Sequence, residues 1–272
     1  MSLDAVNTRG LVLLGCGKMG SAMLEGWLAS GIPARVVTVI DPYPSARLEE
    51  LTSDGLILNG DLPNGPAVCV LAVKPQMMAE ALPQIGDLAG PDTLFVSIAA
   101  GTSIEYFEAV LGQQAAIVRA MPNTPAAIGK GITALVGNEA SSDKDLALAE
   151  ALLTAIGQTV RLEDEGQMDA VTAVSGSGPA YVFNLIETMA AAGTAEGLPE
   201  DLAMRLAIAT VDGAGALAAQ SPQSAEQLRI NVTSPAGTTA AALEVLMAED
   251  GLAPLMQRAV AAAADRSRAL GS

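Results

Sequence analysis

Three glycines near the N-terminus have the spacing of a loop that cradles a diphosphate. The pattern G-x-G-x-x-G follows an apolar run directly, and a helical pattern comes after it. In such loops the glycines permit a tight turn, close approach of backbone to a pyrophosphate, and packing of the helix on the strand. Free N–H groups at the positive helix end would face the diphosphate, whereas a glycine-rich turn without a ligand is the alternative. The predicted cofactor-binding residues here are Gly15, Cys16, Gly17, Lys18, Met19 and Gly20.

An acidic residue ends the second predicted strand. Asp41 lies 21 residues after Gly20, where an acid usually binds the ribose 2′-hydroxyl of NAD and repels a 2′-phosphate. Arg47 could relieve that repulsion, so exclusion of NADP stays open, and a turn or cap role for Asp41 is a further alternative. We therefore expect NAD(P)H, with Asp41 favouring NADH. Asn59 is included among the predicted cofactor-binding residues.

Other candidate cofactor residues lie where later strands end. Parallel sheets bind ligands at the carboxyl ends of their strands. There Lys74 could contact the cofactor, with a solvated lysine as the alternative. Small residues at 99–101 leave room for a flat ring, and Asn123 offers an amide in a proline-stiffened loop. The set predicted from these loops is Ala72, Val73, Lys74, Pro75, Ala99, Ala100, Gly101, Pro122 and Asn123.

The residue types that are absent exclude several chemistries. The sequence contains no histidine, which excludes Ser-His-Asp catalysis, imidazole acid–base chemistry and histidine-ligated metals. No metal site is expected. Its cysteines, Cys16 and Cys69, are too few for a disulfide scaffold and indicate a reducing compartment. The chemistry of the chain must therefore come from a bound cofactor or from other side chains.

The elements that must position these residues form an alternating pattern. Predicted strands are near-continuous apolar runs, as in a parallel sheet covered on both faces. Strands alternating with helices indicate a doubly wound α/β domain. The predicted strands cover residues 11–14, 36–40, 67–73, 94–98, 117–119, 132–136 and 159–162, with helices at 21–30, 45–54, 103–111 and 142–156.

The pattern changes near residue 163, and no convincing strand follows. The remainder is rich in alanine, leucine and methionine, with breaks at 176–179, 193–199, 220–224 and 234–237. With about 150 residues per domain, the 272 residues predict two domains. We place them at 1–163, dinucleotide-binding, and 164–272, all-helical. Alanine side chains bury little area each, so we expect the helical domain to complete its core against a second copy.

Charge and hydropathy bear on partners and location. Net charge is -16, with 30 acidic and 14 basic residues, which argues against nucleic acid or an anionic membrane as partner. The N-terminus lacks the pattern of a secretory signal, and no apolar run approaches the ~18 residues of a bilayer span. We expect a cytoplasmic protein.

Several sequence strings together resemble the pyrroline-5-carboxylate reductase family, in order and spacing, over nearly the whole chain. They lie at residues 15–20, 72–75, 97–101, 119–125, 174–181 (VSGSGPAY) and 232–239 (VTSPAGTT). The resemblance implies a Rossmann-type N-terminal domain followed by an all-α dimerisation domain. It implies NAD(P)H-dependent reduction of 1-pyrroline-5-carboxylate to L-proline, the last step of proline biosynthesis, by a homodimer that often assembles into decamers.

Site residues for the substrate follow from the same resemblance. In the family, the loop matching 234–239 holds the substrate carboxylate through backbone amides and a serine hydroxyl. Carried over, Ser234, Gly237 and Thr238 bind the carboxylate, and Thr239 contacts the ring nitrogen as the catalytic residue. An ordinary Ser/Thr helix cap, with proline at the helix start, is the alternative. The family's loop usually has glycine where this chain has Ala236, which costs about 1 kcal/mol if the position needs a positive φ.

Two other function classes stay open at this stage. One is a related two-domain dehydrogenase acting on a β-hydroxyacid or another imine. Residues 166–272 contain no lysine, the acid that such hydroxyacid enzymes generally carry there. The other is a non-catalytic nucleotide sensor, which only Ala236 supports.

Two further segments have structural interpretations. Residues 175–179 indicate helix capping and close packing, or a lining near the nicotinamide. Glu163, Asp164 and Glu165 indicate a solvated charge run.

Overall fold

The computed structural model describes residues 3–271, so Met1, Ser2 and Ser272 lie outside the described residues. The described chain divides into two compact units, one formed by residues 3–176 with 264–271 and the other by Ser177–Ala263. The elements of the first are α1 (Asp4–Arg9), β1 (Leu11–Leu14), α2 (Lys18–Ala29), β2 (Val37–Ile40), α3 (Ala46–Leu51), β3 (Ile57–Leu58), β4 (Val68–Leu71), α4 (Met78–Ala81), β5 (Leu94–Ser97), α5 (Ile104–Leu111), β6 (Ala116–Met121), β7 (Gly131–Gly137), α6 (Asp143–Leu153), β8 (Gly157–Arg161) and α7 (Met168–Val171).

The strands form one eight-stranded sheet in the order β3-β2-β1-β4-β5-β6-β7-β8. Neighbouring strands are parallel except β6 and β7, which pair antiparallel with Val118 opposite Gly137. The fully parallel sheet expected from the apolar runs is therefore wrong at this pair. Residues 122–130 join these strands, and a parallel crossover needs a dozen or more residues.

The apolar strands are buried on both faces of the sheet, as predicted. Along β1, Leu11 and Leu13 belong to a core with Trp27 of α2. Val12 and Leu14 belong to a second core, which contains Phe107 of α5. Because successive side chains of a strand point to opposite faces, the helices must cover the sheet on both sides. The doubly wound α/β arrangement is confirmed.

Short elements account for most of the differences from the sequence prediction. The helix α1, the two-residue strand β3 and the helical turns from Pro75 to Leu88 were not expected. Predicted helices at 45–54 and 142–156 end as α-helix at Leu51 and Leu153 and continue as 3-10 turns. These differences lie at element ends or in segments too short for a periodic pattern.

The second unit contains only helices among its described residues. They are α8 (Gly178–Ala195), α9 (Glu200–Gln220), α10 (Ala225–Asn231), α11 (Thr238–Leu246) and most of α12 (Leu252–Gly271). Its buried core is small and consists of Ala190, Ala203 and Ala207, packed with Ile186. Phe183 and Val245 are 59% and 72% exposed. Because the core buries so little apolar area, it agrees with the expectation that the helical unit completes its core against a second copy.

One described helix is long and apolar enough to cross a membrane by length and composition. It is α9, in which an 18-residue stretch has a mean hydropathy of 1.4 and only 11% of that stretch is buried. The sequence prediction concerned uninterrupted apolar runs, whereas α9 meets the hydropathy criterion on average and contains Arg205 and Asp212. A single helix of this kind is weak evidence for a membrane span, because helices that pack in a core or an interface meet the same criterion.

Candidate cofactor and substrate sites

The glycine loop has the geometry of a diphosphate cradle. Gly15 has φ +86°, and a Cβ there would lie 2.7 Å from the side chain of Val73. A Cβ on Gly20 would lie 2.7 Å from the Gly15 carbonyl oxygen. At Gly17, by contrast, no described residue other than its own chain neighbours places an atom within 4 Å of the Cβ position. The loop is thus tight where it contacts protein and open where a ligand would approach, at the start of α2.

Asp41 is tied to this loop through its carboxylate. Cys16 N donates to Asp41 Oδ2 at 2.6 Å, and Tyr43 N donates to Asp41 Oδ1 at 2.8 Å. Asn59 contacts the backbone of Asp41, since its Nδ2 donates to Asp41 O at 2.8 Å. These contacts bring three predicted cofactor residues together at the ends of β1, β2 and β3. The turn role of Asp41 and a ligand role are both consistent with this geometry.

The sequence left the roles of Arg47 and Cys16 undecided. Arg47 binds Glu25, with Nε 2.8 Å from Oε1, and its Nη1 lies 3.5 Å from Glu50. The guanidinium is thus engaged by carboxylates on the helices. The Cys16 thiol is buried, and burial raises its pKa above the usual value. A protonated thiol is a poor nucleophile, so the residue fits the loop as a small apolar side chain.

Cavities lie beside the ends of the central strands. One of about 100 Å³ is lined by Leu14, Ile40, Pro42 and Val73, among others. A larger cavity of about 760 Å³ is lined by Pro75, Ala100 and Gly101 together with Tyr106 and the end of α12. The structure therefore brings the predicted loops after β4 and β5 to one cavity. Lys74 is exposed beside it, so the solvated-lysine interpretation remains available.

The loop after β6 is held by Asn123, whose side chain is largely buried. Its Oδ1 accepts a hydrogen bond from Ile132 N at 3.0 Å, and its Nδ2 donates to Ser175 O at 3.3 Å. Asn123 thus links β7 to the π-helical segment Thr172–Gly176. Such π turns occur often at functional sites. Pro122 is buried next to it.

Residues 175–179 do not form a side-chain helix cap. Ser177 is the N-cap residue of α8 and makes no side-chain cap hydrogen bond. Ser175 Oγ is buried and has no hydrogen-bond partner within residues 3–271. Close packing is confirmed at Gly176, where a Cβ would lie 2.7 Å from Met121 Cε. The buried hydroxyl of Ser175 is a polar group that the sequence interpretation treated as a cap or lining, and only the structure shows that it is unpaired.

The charge run at 163–165 is solvated only in part. Glu165 Oε1 lies 2.5 Å from Arg119 Nη1, and the Arg119 side chain is 9% exposed. The same oxygen accepts a hydrogen bond from Ile104 N at 2.9 Å. The prediction of a solvated run is wrong for Glu165, because its partner is a buried arginine on β6. Glu163 and Asp164 are exposed, as predicted.

The predicted substrate loop begins with a tight turn in the second unit. Gly237 N donates to Ser234 O at 3.1 Å, and Ala236 has φ +55°. Proline at the second position and a positive φ at the third are the features of a type II turn, which favours glycine at the third position. The positive φ at Ala236 therefore agrees with the glycine that the family resemblance implies for this position.

The start of α11 leaves polar groups of this loop available. Gly237 is the N-cap residue and makes no side-chain cap hydrogen bond. The interpretation of the loop as a Ser/Thr cap is therefore wrong. A Cβ on Gly237 would collide with Ser234 Oγ, so the missing side chain makes room for that hydroxyl. The N–H groups of Thr238 and Thr239 belong to the first turn of α11, where helical partners are lacking, so they can bind an anion.

A mostly parallel sheet with this glycine loop and with an acid at the end of β2 is typical of a dinucleotide-binding protein of the Rossmann type. In the helical unit, α11 begins at Gly237 without a side-chain cap, which leaves first-turn N–H groups available to an anion. The chain belongs to the pyrroline-5-carboxylate reductase family. It is 39% identical over 268 residues to pyrroline-5-carboxylate reductase of Pseudomonas aeruginosa, covering 97% of this chain and 98% of that protein.

One family model and the solved structures give the same assignment, and a second family model matches the N-terminal part. Residues 165–270 match the pyrroline-5-carboxylate reductase dimerisation model, and residues 10–101 match the coenzyme F420-dependent NADP oxidoreductase model. A pyrroline-5-carboxylate reductase from Coxiella burnetii superposes with a TM-score of 0.89 at 33% identity, covering 97% of this chain and 99% of its own. The Plasmodium falciparum pyrroline carboxylate reductase with NADP bound has a TM-score of 0.82 at 29% identity, covering 98% and 99%.

Proposed function

We propose that this chain reduces 1-pyrroline-5-carboxylate to L-proline with a reduced nicotinamide dinucleotide, the last step of proline biosynthesis. The observation that supports the proposal is that one chain of this family has both a glycine loop open at Gly17 and a turn that leaves first-turn N–H groups of α11 without a side-chain cap. Relatives from bacteria and plants carry this activity in their names over nearly the same length. The chain is an NAD(P)H-dependent oxidoreductase acting on a carbon–nitrogen double bond.

The cofactor fits the residues of the first unit. The first-turn N–H groups of α2 and the open face at Gly17 would hold the diphosphate. The cavity beside Val73 would hold the adenine, and the small residues at 99–101 would leave room for the nicotinamide. When bound, the reduced nicotinamide supplies the hydride that the imine carbon accepts. Supporting this assignment, the predicted loops after β4 and β5 line one cavity.

We propose a preference for NADH. The Asp41 carboxylate lies at the end of β2, where it can accept hydrogen bonds from ribose hydroxyls and would repel a 2′-phosphate. Engagement of Arg47 by Glu25 and Glu50 supports this preference, because the nearby positive charge is already paired. The relative from Plasmodium falciparum binds NADP, so the preference concerns this chain's own Asp41.

The turn and the start of α11 would hold the substrate carboxylate. We assign this role to Ser234 Oγ and to the N–H groups of Thr238 and Thr239, with the positive end of the helix adding to the attraction. Gly237 contributes through its missing side chain, since its own N–H donates to Ser234 O within the turn. Backbone donors suit a protein of net charge -16, because they attract an anion without any cationic side chain.

The hydroxyl of Thr239 would meet the ring nitrogen. Reduction places a hydride on the imine carbon and requires a proton on the nitrogen. A hydroxyl both donates and accepts, so it can remain hydrogen-bonded to the nitrogen before and after protonation. No imidazole is needed for this step, which agrees with a sequence that contains no histidine.

We also propose which part of the chain binds each ligand and how the chains assemble. Residues 1–163 would bind the cofactor, and residues 164–272 would bind the substrate and dimerise. The match of the dimerisation model to residues 165–270 and the exposed apolar side chains of the helical unit support a homodimer. We further propose that the dimers assemble into a decamer, that the protein is cytoplasmic, and that it has no nucleic acid or membrane partner.

Two measurements on the purified chain test the proposal. NADH oxidation should depend on added pyrroline-5-carboxylate, and the product should be proline. Binding of NADH, followed separately by its fluorescence, should occur without the imine. Cofactor binding without turnover would instead favour a nucleotide sensor, and turnover with a β-hydroxyacid would favour the related dehydrogenases.

A further inference from the structure

The short strand β3 ends at a residue with an unusual backbone conformation. Asn59 has φ +51°, in the left-handed region where glycine is the relaxed choice and asparagine is tolerated. Its N–H donates to Val39 O at 2.8 Å, which extends the parallel pairing of β2 with β3. A strained position that carries asparagine rather than glycine indicates that the side chain is used.

The Asn59 side chain closes a two-bond clamp on the main chain of Asp41. Oδ1 of Asn59 accepts a hydrogen bond from Asp41 N at 2.9 Å, while Nδ2 donates to Asp41 O at 2.8 Å. Both polar atoms of the amide therefore bind the same residue. The side chain of Asn59 thus pairs with the Asp41 backbone in the way that the backbone of a longer β3 would pair with it.

The clamped residue holds its carboxylate between two amides. Asp41 Oδ2 accepts a hydrogen bond from Cys16 N in the glycine loop, and Oδ1 accepts one from Tyr43 N. Each carboxylate oxygen has two acceptor sites, so one per oxygen remains for a ligand hydroxyl. A rigid carboxylate with two remaining sites matches a pair of ribose hydroxyls and opposes a phosphate.

We infer that Asn59 is a positioning residue that sets cofactor preference through Asp41. By fixing the Asp41 backbone, the clamp aims the carboxylate at the ribose and anchors it to the glycine loop. Loss of the clamp weakens recognition of a ribose diol and affects a cofactor with a 2′-phosphate much less. This inference rests on the cofactor half of the proposed function and replaces direct ribose binding by Asn59 with an indirect role.

The test is a double-mutant cycle on cofactor binding. Asn59→Gly removes the clamp and suits the positive φ, so the backbone keeps its conformation. Dissociation constants for NADH and NADPH are measured by titration for the wild type, Asn59→Gly, Asp41→Ala and the double variant. Asn64→Gly, which changes an exposed asparagine in the loop that follows, is the matched control. Trp27 fluorescence verifies that each variant is folded.

Asn59→Gly should weaken NADH binding about five- to tenfold, which corresponds to about 1–1.4 kcal/mol of net hydrogen bonding. NADPH binding should change less than twofold, as should both constants in Asn64→Gly. In the Asp41→Ala background, Asn59→Gly should have no further effect on NADH, because the residue acts through Asp41.

Two results would overturn the inference. One is an unchanged ratio of the NADH and NADPH constants in Asn59→Gly. The other is an undiminished effect on NADH in the Asp41→Ala background, which would make Asn59 a direct ligand. The titration uses no imine, so a lack of turnover with pyrroline-5-carboxylate would count against the reductase function and not against this role of Asn59.

Discussion

Replacing Glu165 with alanine should destabilise the first compact unit, because it removes the partner of a buried arginine. Arg119 Nη1 lies 2.5 Å from Glu165 Oε1, and the Arg119 side chain is 9% exposed. The same carboxylate oxygen accepts a hydrogen bond from Ile104 N, at the first turn of α5. The substitution leaves both a guanidinium and a helix N-terminal amide without this acceptor.

The size of the effect follows from burial. Removing one partner of a fully buried ion pair costs about 3–5 kcal/mol. Glu165 is 30% exposed, so water can partly replace its carboxylate, and we expect about 2–3 kcal/mol for Glu165→Ala. Glu165→Gln keeps an acceptor for the guanidinium and the amide but loses the charge. It should cost about half as much.

The assay is urea unfolding followed by the fluorescence of Trp27. This is the only tryptophan in the sequence, and it is 1% exposed inside the first unit, so its signal reports on that unit alone. At equal protein concentration, the midpoint for Glu165→Ala should fall by about 1 M. Glu163→Ala, at an exposed neighbour, should leave it unchanged. Equal midpoints for Glu165→Ala and the wild type, or an equal fall for Glu163→Ala, would refute the reasoning.

Further predictions concern the two proposed sites. Asp41→Ala should shift the ratio of kcat/KM for NADH over NADPH toward NADPH by about tenfold or more, since charge-assisted hydrogen bonds to the ribose are lost; an unaltered ratio would discard the ribose assignment. Thr239→Val should lower kcat about tenfold or more with the cofactor KM unchanged, whereas Thr239→Ser should retain most of the activity; full activity of the valine variant would remove Thr239 from the reaction. Ala236→Gly should stabilise the second unit by about 0.5–1 kcal/mol, because φ is +55°; thermal melting by circular dichroism measures this, and a lower melting temperature would contradict it.

The sequence predicted the parts of the site that depend on local pattern. Gly15, Gly17 and Gly20 take the tight and open positions that their spacing implied, because each requirement concerns the backbone within a few residues. The sequence likewise raised the possibility of a positive φ at Ala236, because the family resemblance implies glycine at that position, and the structure has it. Local chemistry of this kind can be inferred without knowledge of the tertiary structure.

Contacts between distant residues could not be predicted in the same way. Glu165 follows two exposed acids and gives no sign of its partner Arg119, which lies 46 positions away in sequence. The clamp between Asn59 and Asp41 depends on a two-residue strand, which is too short for any periodicity. The unpaired hydroxyl of Ser175 depends on the packing of a π turn.

The direction of β7 is a different case, because the sequence contained usable information. An apolar run does not reveal whether a strand runs parallel or antiparallel to its neighbour. The short connection from Met121 to Gly131, however, cannot hold the crossover helix that a parallel pair needs. Loop length was therefore the signal for the antiparallel pair.

The most direct test of the central claim is the rate of NADH oxidation by the purified wild-type chain with pyrroline-5-carboxylate as the only electron acceptor. We expect saturable turnover that forms proline, with a higher kcat/KM for NADH than for NADPH. Intact NADH binding with no imine-dependent oxidation of either cofactor would contradict it.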